Sequence, residues 1–255
     1  MAEQVLSEGL VARLTAWLMH TDLFEQAWGY VCEGTMNWWW SEQLCLFTVG
    51  FWTVFLVTKG REYNVKHVWA YMLLGQVVAI SVAANLFYLV LVLSRRGPKR
   101  AFQPASITLW LAVLTSLATV IYSPYTSKQG FLPNLLTMHA LLLVPLLPRP
   151  KGWRVPAGPS CTLLYTTVAA VSALIRLRTT SIALRNLPSA EQNMAGFVRQ
   201  AWRTLHVHPA QSSIGWDVVW TTVSFLVWTF VAPLSRRPPS VSNEQRSRSA
   251  SSRRD

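Results

Sequence analysis

The 255-residue chain is 51% hydrophobic and only 13% charged, about half the charged share of an ordinary soluble protein, so a water-facing surface cannot be built from it. Its net charge of +12 sits in short flanks beside apolar blocks and forms no basic face interleaved with aromatics. That excludes nucleic acid as the expected partner and leaves the lipid bilayer. The expected fold class is all-α: a multi-pass transmembrane helical bundle of about six spans, with amphipathic interfacial helices and a disordered basic C-terminal tail.

Residues 1–39 form an N-terminal arm. Six acidic residues lie between positions 1 and 43 against a single Arg13, and Leu6, Leu10, Val11, Leu14, Trp17 and Leu18 recur at helical spacing. This predicts a helix lying on the membrane surface. The start has no basic segment leading into a short apolar run, so no signal peptide is expected.

The membrane domain is expected over 40–234. Its first span runs over 40–57 and stops at Lys59-Gly60-Arg61-Glu62, a charged turn with a glycine terminator. The second, 68–93, is about 39 Å of helix, more than a 30 Å hydrocarbon core needs without tilt. The third and fourth are expected at 107–122 and 131–147. The fifth, 161–175, is short and rich in Thr, Ser and Ala, and the sixth is 214–234. Residues 176–213 form the longest loop. In it Ser189 and Gln192 predict a capping box, followed by Met194, Phe197, Val198, Ala201, Trp202 and Leu205 along one helical stripe. Arg199 and Arg203 fall beside that stripe, as suits an interfacial helix. The tail, 235–255, has almost no apolar residue.

The thirteen tryptophans include Trp38, Trp39, Trp40, Trp110 and Trp216 at block edges, as in aromatic belts. With six spans, one face of the membrane carries 14 Lys and Arg residues and the other 9. By the positive-inside rule both termini are then cytoplasmic, and an endomembrane such as the endoplasmic reticulum is the expected home. Cys32, Cys45 and Cys161 are widely spaced without a histidine cluster, so they are taken as packing residues; neither a metal site nor a cofactor is expected.

No nucleotide-binding glycine loop and no hydrolase or metalloprotease motif is present. Asp217 is the one acidic residue inside an expected span, and an intramembrane carboxyl points to function. Trp220, Thr221, Ser224 and Trp228 follow it at offsets of 3, 4, 7 and 11. A carboxyl, hydroxyls and indoles on one face suit an acid that protonates an alkene or epoxide while aromatic faces stabilise the cation. The plainer alternative is a solvated carboxylate in the first turn of its helix.

Glu62, Glu42 and Glu33 flank the first span as possible partner carboxylates or as solvated surface. Gln76 and Asn85 are substrate contacts or interhelical hydrogen-bonding groups. His139 is a proton carrier or a ring bonded to a backbone carbonyl.

The segment His208-Pro209-Ala210-Gln211-Ser212-Ser213-Ile214-Gly215-Trp216-Asp217, continuing to Phe230, resembles the membrane-bound terpene cyclases of fungal meroterpenoid and indole-diterpene biosynthesis. Trp69 to Gln76 and Asn85-Leu86-Phe87 carry the same likeness. The resemblance implies a membrane carboxyl, Asp217, that protonates a prenyl chain or its epoxide and starts ring closure without a metal. It also implies a partner carboxylate, for which Glu62, placed in a basic turn, is the candidate. A hydrophobic small-molecule substrate and neighbouring pathway enzymes in the same membrane would be the partners. Two other classes compete: a small-molecule transporter or channel lined by Gln76, Asn85, Asn134, His139 and Asp217, and a non-catalytic membrane scaffold.

Overall fold

The computed structural model describes residues 9–20, 23–94, 104–148 and 156–234. The expected tail over 235–255, the basic turn Arg95 to Arg100 and the start of the N-terminal arm lie outside these residues. The fold is all-helical, with no strand among the described residues. In chain order the helices are α1 (Leu10–His20), α2 (Leu23–Cys32), α3 (Thr35–Leu46), α4 (Thr53–Glu62), α5 (Val68–Val77), α6 (Ile80–Leu93), α7 (Ile107–Tyr122), α8 (Lys128–Leu143), α9 (Cys161–Arg185), α10 (Met194–Val207) and α11 (Pro209–Leu234). Among the described residues five stretches are long and apolar enough to cross a membrane: Thr35–Glu62, Ile107–Tyr125, Gln129–Leu146, Cys161–Arg185 and Pro209–Val231.

The first stretch begins before the expected Trp40 and ends after Val57, because α3 and α4 are joined without a break by a π-helical turn, Phe47–Trp52. The wider turn stacks Phe47 on Phe51, with ring centroids 5.9 Å apart, and the Thr53 hydroxyl donates back to the Thr48 carbonyl at 2.7 Å. This stretch is the axis of the bundle: 78% of its apolar window is buried, against 17% for α9. Gly50 lets α9 approach, since a Cβ there would overlap the Val168 side chain.

The expected second span does not form one helix. Ala79 is extended (φ −169°, ψ 143°), and the chain reverses there. Tyr71 of α5 and Phe87 of α6 stack edge-on at 5.1 Å, whereas in a straight helix residues so far apart would be separated by about 24 Å. A Cβ on Gly75 would likewise meet Ile80 and Ala83. The Tyr71–Phe87 and Gly75–Ala83 pairings are symmetric about residue 79, so α5 and α6 are the two arms of a helical hairpin. Neither arm, at 10 and 14 residues, reaches the length of a span.

The expected fifth span is also corrected, in the other direction. Instead of ending at Ile175, α9 continues through Arg176 and Arg178 to Arg185. The Arg176 guanidinium is folded inward over the Trp39 ring, 4.4 Å from its centroid, and so does not break the apolar segment.

In the long loop the capping box is replaced. Asn193 caps α10 by accepting the Gly196 N–H at 2.9 Å, while the Gln192 amide donates to the Arg185 and Leu187 carbonyls. The apolar stripe of α10 divides: Phe197, Ala201 and Leu205 are buried, and Met194, Val198 and Trp202 are exposed.

Contacts between helices fix the two ends of the bundle. At one end the Trp39 indole donates to Thr180 at 3.0 Å and the Trp40 indole to the Ala201 carbonyl at 3.1 Å. The starts of α3 and α11, the end of α9 and all of α10 therefore share this end. Toward the other, Thr58 and Tyr165 hydroxyls pair at 3.2 Å and Trp228 packs edge-on against Phe55. Helix α3 thus begins, and α11 finishes, at opposite ends of the bundle.

Candidate functional site

Asp217 is the keystone of the hairpin. Helix α11 starts at Pro209, whose missing N–H costs nothing at a first helical position, so Asp217 lies two turns in and not in the first turn as expected. Its Oδ2 accepts the Ile80 N–H at 2.9 Å and its Oδ1 accepts the Ser81 N–H at 2.7 Å. These are two of the four orphan donors at the start of α6. Ala79, at the capping position, has no polar side chain to serve them. The Asp217 carboxyl, from another helix, does so.

Each Asp217 oxygen thus accepts one backbone N–H and keeps acceptor capacity toward the cavity that it borders. This cavity, about 390 Å³, lies between the hairpin tip, α2, α3, α8 and the first turns of α11. Trp28, Val31, Ile80 and Met138 supply apolar wall, and Thr48, Gln76, Ser213 and His139 the polar groups beside Asp217. Among the described residues no group of three His, Cys, Asp or Glu side chains converges as metal ligands would.

Two of the residues expected with Asp217 do meet it. The Gln76 amide donates to the His139 carbonyl at 3.1 Å, tying the end of α5 to α8. His139 Nδ1 lies 2.7 Å from the Leu135 carbonyl and its ring meets Trp28 edge-on at 6.1 Å.

Trp220, Ser224, Trp228 and Asn85 do not line this cavity. Trp220 is 56% exposed, Trp228 stacks on Tyr88 at 5.1 Å, and Asn85 is exposed and donates to the Ser81 carbonyl. Thr221 is buried, with no partner for its hydroxyl among the described residues. The reason is the course of α6, which runs beside α11 from Asp217 to Trp228 and fills that face. The open space lies on the other side of Asp217, along Ala210, Ser213 and Ile214 at offsets of 7, 4 and 3. Helical side chains lean toward the N-terminus, which favours this direction.

The glutamates separate. Glu62 closes α4, pairs with Lys59 at 2.5 Å and lies outside the cavity. Glu33 is exposed. Glu42, weighed as a flank acid, is 3% exposed. It accepts from the Trp38 indole at 3.2 Å, the Thr179 hydroxyl at 2.8 Å and Arg176 at 3.4 Å. Arg176 also donates to the Trp39 carbonyl at 2.6 Å and to Gln43 at 3.1 Å.

Trp28, Cys45 and Thr48 line the cavity without having been singled out for it. Trp28 belonged to an arm expected on the membrane surface, but α2 packs on α3 instead, where the Ser41 hydroxyl holds the Val31 carbonyl at 2.7 Å. No periodicity in the arm carries that information. The described residues together define an all-helical fold with five helices long and apolar enough to cross a membrane and a cavity bordered by Asp217 at the tip of a reversed helix pair. No family model, curated protein or solved structure matches the chain.

Proposed function

We propose that this chain is a membrane-embedded terpene cyclase that protonates a prenyl chain or its epoxide and directs ring closure. The observation that carries the reading is the Asp217 carboxyl at the wall of a largely apolar cavity inside the helical bundle. Asp217 is the proton donor, and its two N–H contacts hold it in one orientation, as a positioned general acid requires. Trp28 offers a ring to a developing cation, and Gln76 offers an amide. A hydrophobic substrate partitions into lipid, and its cation has to be kept from water, which an intramembrane cavity does. Enzymes that make or consume such intermediates in the same membrane are the natural partners.

Product formation in microsomes tests the reading, using epoxidised and plain prenyl-aromatic substrates with wild type, Asp217→Asn and Asp217→Ala. Cyclised product from wild type alone is expected. Cyclisation by all three would remove Asp217 as the acid; none from folded wild type would remove the cyclase.

In the bilayer we propose five crossings plus a re-entrant hairpin in place of six crossings. Non-helical backbone at depth is tolerated where its polar groups are satisfied, and here Asp217 accepts the Ile80 and Ser81 N–H groups while Val77 and Val78 leave only apolar side chains exposed at the tip. The count of Lys and Arg then becomes 16 on one face against 7 on the other, a sharper contrast than six spans give. The cytoplasmic face would hold the tail and the loops after α4, α6 and α8, with the start of α3 on the lumenal face of an endomembrane. Protease digestion of sealed microsomes should remove the tail; protection would reverse the orientation.

The same hairpin favours a second reading, a transporter, because broken helices with a capped N-terminus near mid-depth are a device of substrate sites in transporters. Uptake of a radiolabelled prenyl-aromatic compound into proteoliposomes, without chemical change, would favour it.

A further inference from the structure

His139 carries an unused base. Its Nδ1 lies 2.7 Å from the Leu135 carbonyl, an acceptor only, so Nδ1 carries the ring proton and Nε2 the lone pair. Nε2 has no hydrogen-bond partner among the described residues. The ring borders the Asp217 cavity, and Gln76 holds the backbone beneath it. Apart from the Asp217 carboxylate left by the first proton transfer, the polar groups named beside it offer no base: the Thr48 hydroxyl donates to the Leu44 carbonyl, and neither the Gln76 amide nor the Ser213 hydroxyl is basic.

We propose that His139 is the proton acceptor that ends the cyclisation, an assignment that rests on the cyclase reading. The C–H bond beside the last cationic centre breaks, its electron pair becomes the C=C double bond, and the proton passes to Nε2. The imidazolium keeps its Nδ1–H on Leu135. Asp217 supplies one proton at the start and His139 receives one at the end, so substrate and product are isomers and no oxidant or reductant is involved. Transfer of that proton back to the Asp217 carboxylate, across the cavity that both border, resets the site. An acid and a base in one cavity let a single fold run both steps.

The test compares wild type, His139→Asn and His139→Gln in microsomes fed an epoxyfarnesyl phenol, with products separated by mass. Asn keeps an N–H for Leu135 but has no acceptor at the Nε2 position; Gln places an amide there that hydrogen-bonds but is not basic. Wild type should give one cyclic alkene of unchanged mass. Both variants should still consume the probe, yet the ratio of that alkene to water-trapped alcohol and alkene isomers should fall by about 100-fold, the low end of what a general base contributes. The ratio is read per turnover, so reduced folding does not mimic the effect. An unchanged ratio in both variants overturns the assignment while leaving the cyclase intact. A wild type that leaves the probe untouched overturns the cyclase reading and the base with it.

Discussion

Two carboxylates sit inside the apolar helices, and they are held in opposite ways. Glu42 is enclosed by side chains: an indole and a hydroxyl on Oε1 and a guanidinium on Oε2 surround it at 3% exposure. Asp217 is held by two backbone N–H groups and borders an open cavity. Glu42 has its counter-charge in Arg176 and joins α3 to α9; nothing else can reach it. Asp217 replaces a missing helix cap and still presents a carboxyl to the cavity. Burial alone therefore does not mark a functional acid. What distinguishes the two is whether the donors leave a free edge.

Breaking the enclosed pair should have the largest effect on stability. Glu42→Ala leaves Arg176 without its counter-charge and should cost about 3–5 kcal/mol, read as a fall in thermal unfolding temperature in detergent. The paired change Glu42→Leu with Arg176→Met should recover most of that loss, because the pair is worth less than the penalty of leaving one member alone. If the double variant is as unstable as the single, the network does more than neutralise itself.

Asp217→Ala should cost about 0.5–2 kcal/mol, as loss of a helix cap does, and on the cyclase reading abolish turnover. Asp217→Asn keeps one acceptor, so stability should fall by less while activity drops by roughly 10²–10⁴-fold. Equal losses of stability in the two variants would mean that the cap contributes little. Gly75→Val tests the hairpin itself: the added bulk meets Ile80 and Ala83, and overpacking there should cost about 1–3 kcal/mol in the same unfolding measurement. A fully stable variant would argue against the close packing of α5 on α6.

The smallest effects are expected on the face of α11 beyond Asp217. Thr221→Val removes a buried hydroxyl that has no partner among the described residues and should leave stability unchanged or slightly raised. Trp220→Ala, on an exposed ring, should leave turnover within about twofold of wild type, as surface changes of about 0.5 kcal/mol do. A large loss of turnover there would return Trp220 to the site.

Hydrophobic patterning carried the class of protein. Long apolar runs around Val49, Val113, Leu142, Val168 and Val223 each belong to a helix able to cross a membrane, because an apolar helix in lipid needs only its own backbone bonds and its length. Asp217 was legible as a candidate for the same local reason, an acid in an apolar run. Its surroundings were not. The run over 68–93 is as apolar as a spanning helix, and its break at Val78-Ala79 depends on a carboxylate 137 residues away. Arg176 reads as the start of a loop until Glu42, 134 residues distant, takes its charge. Local sequence sets which segments leave water, since that depends on each segment alone. Only the tertiary structure decided which of them reverses, which acid is free and which residues share its cavity, because those outcomes depend on donors and charges that other helices bring.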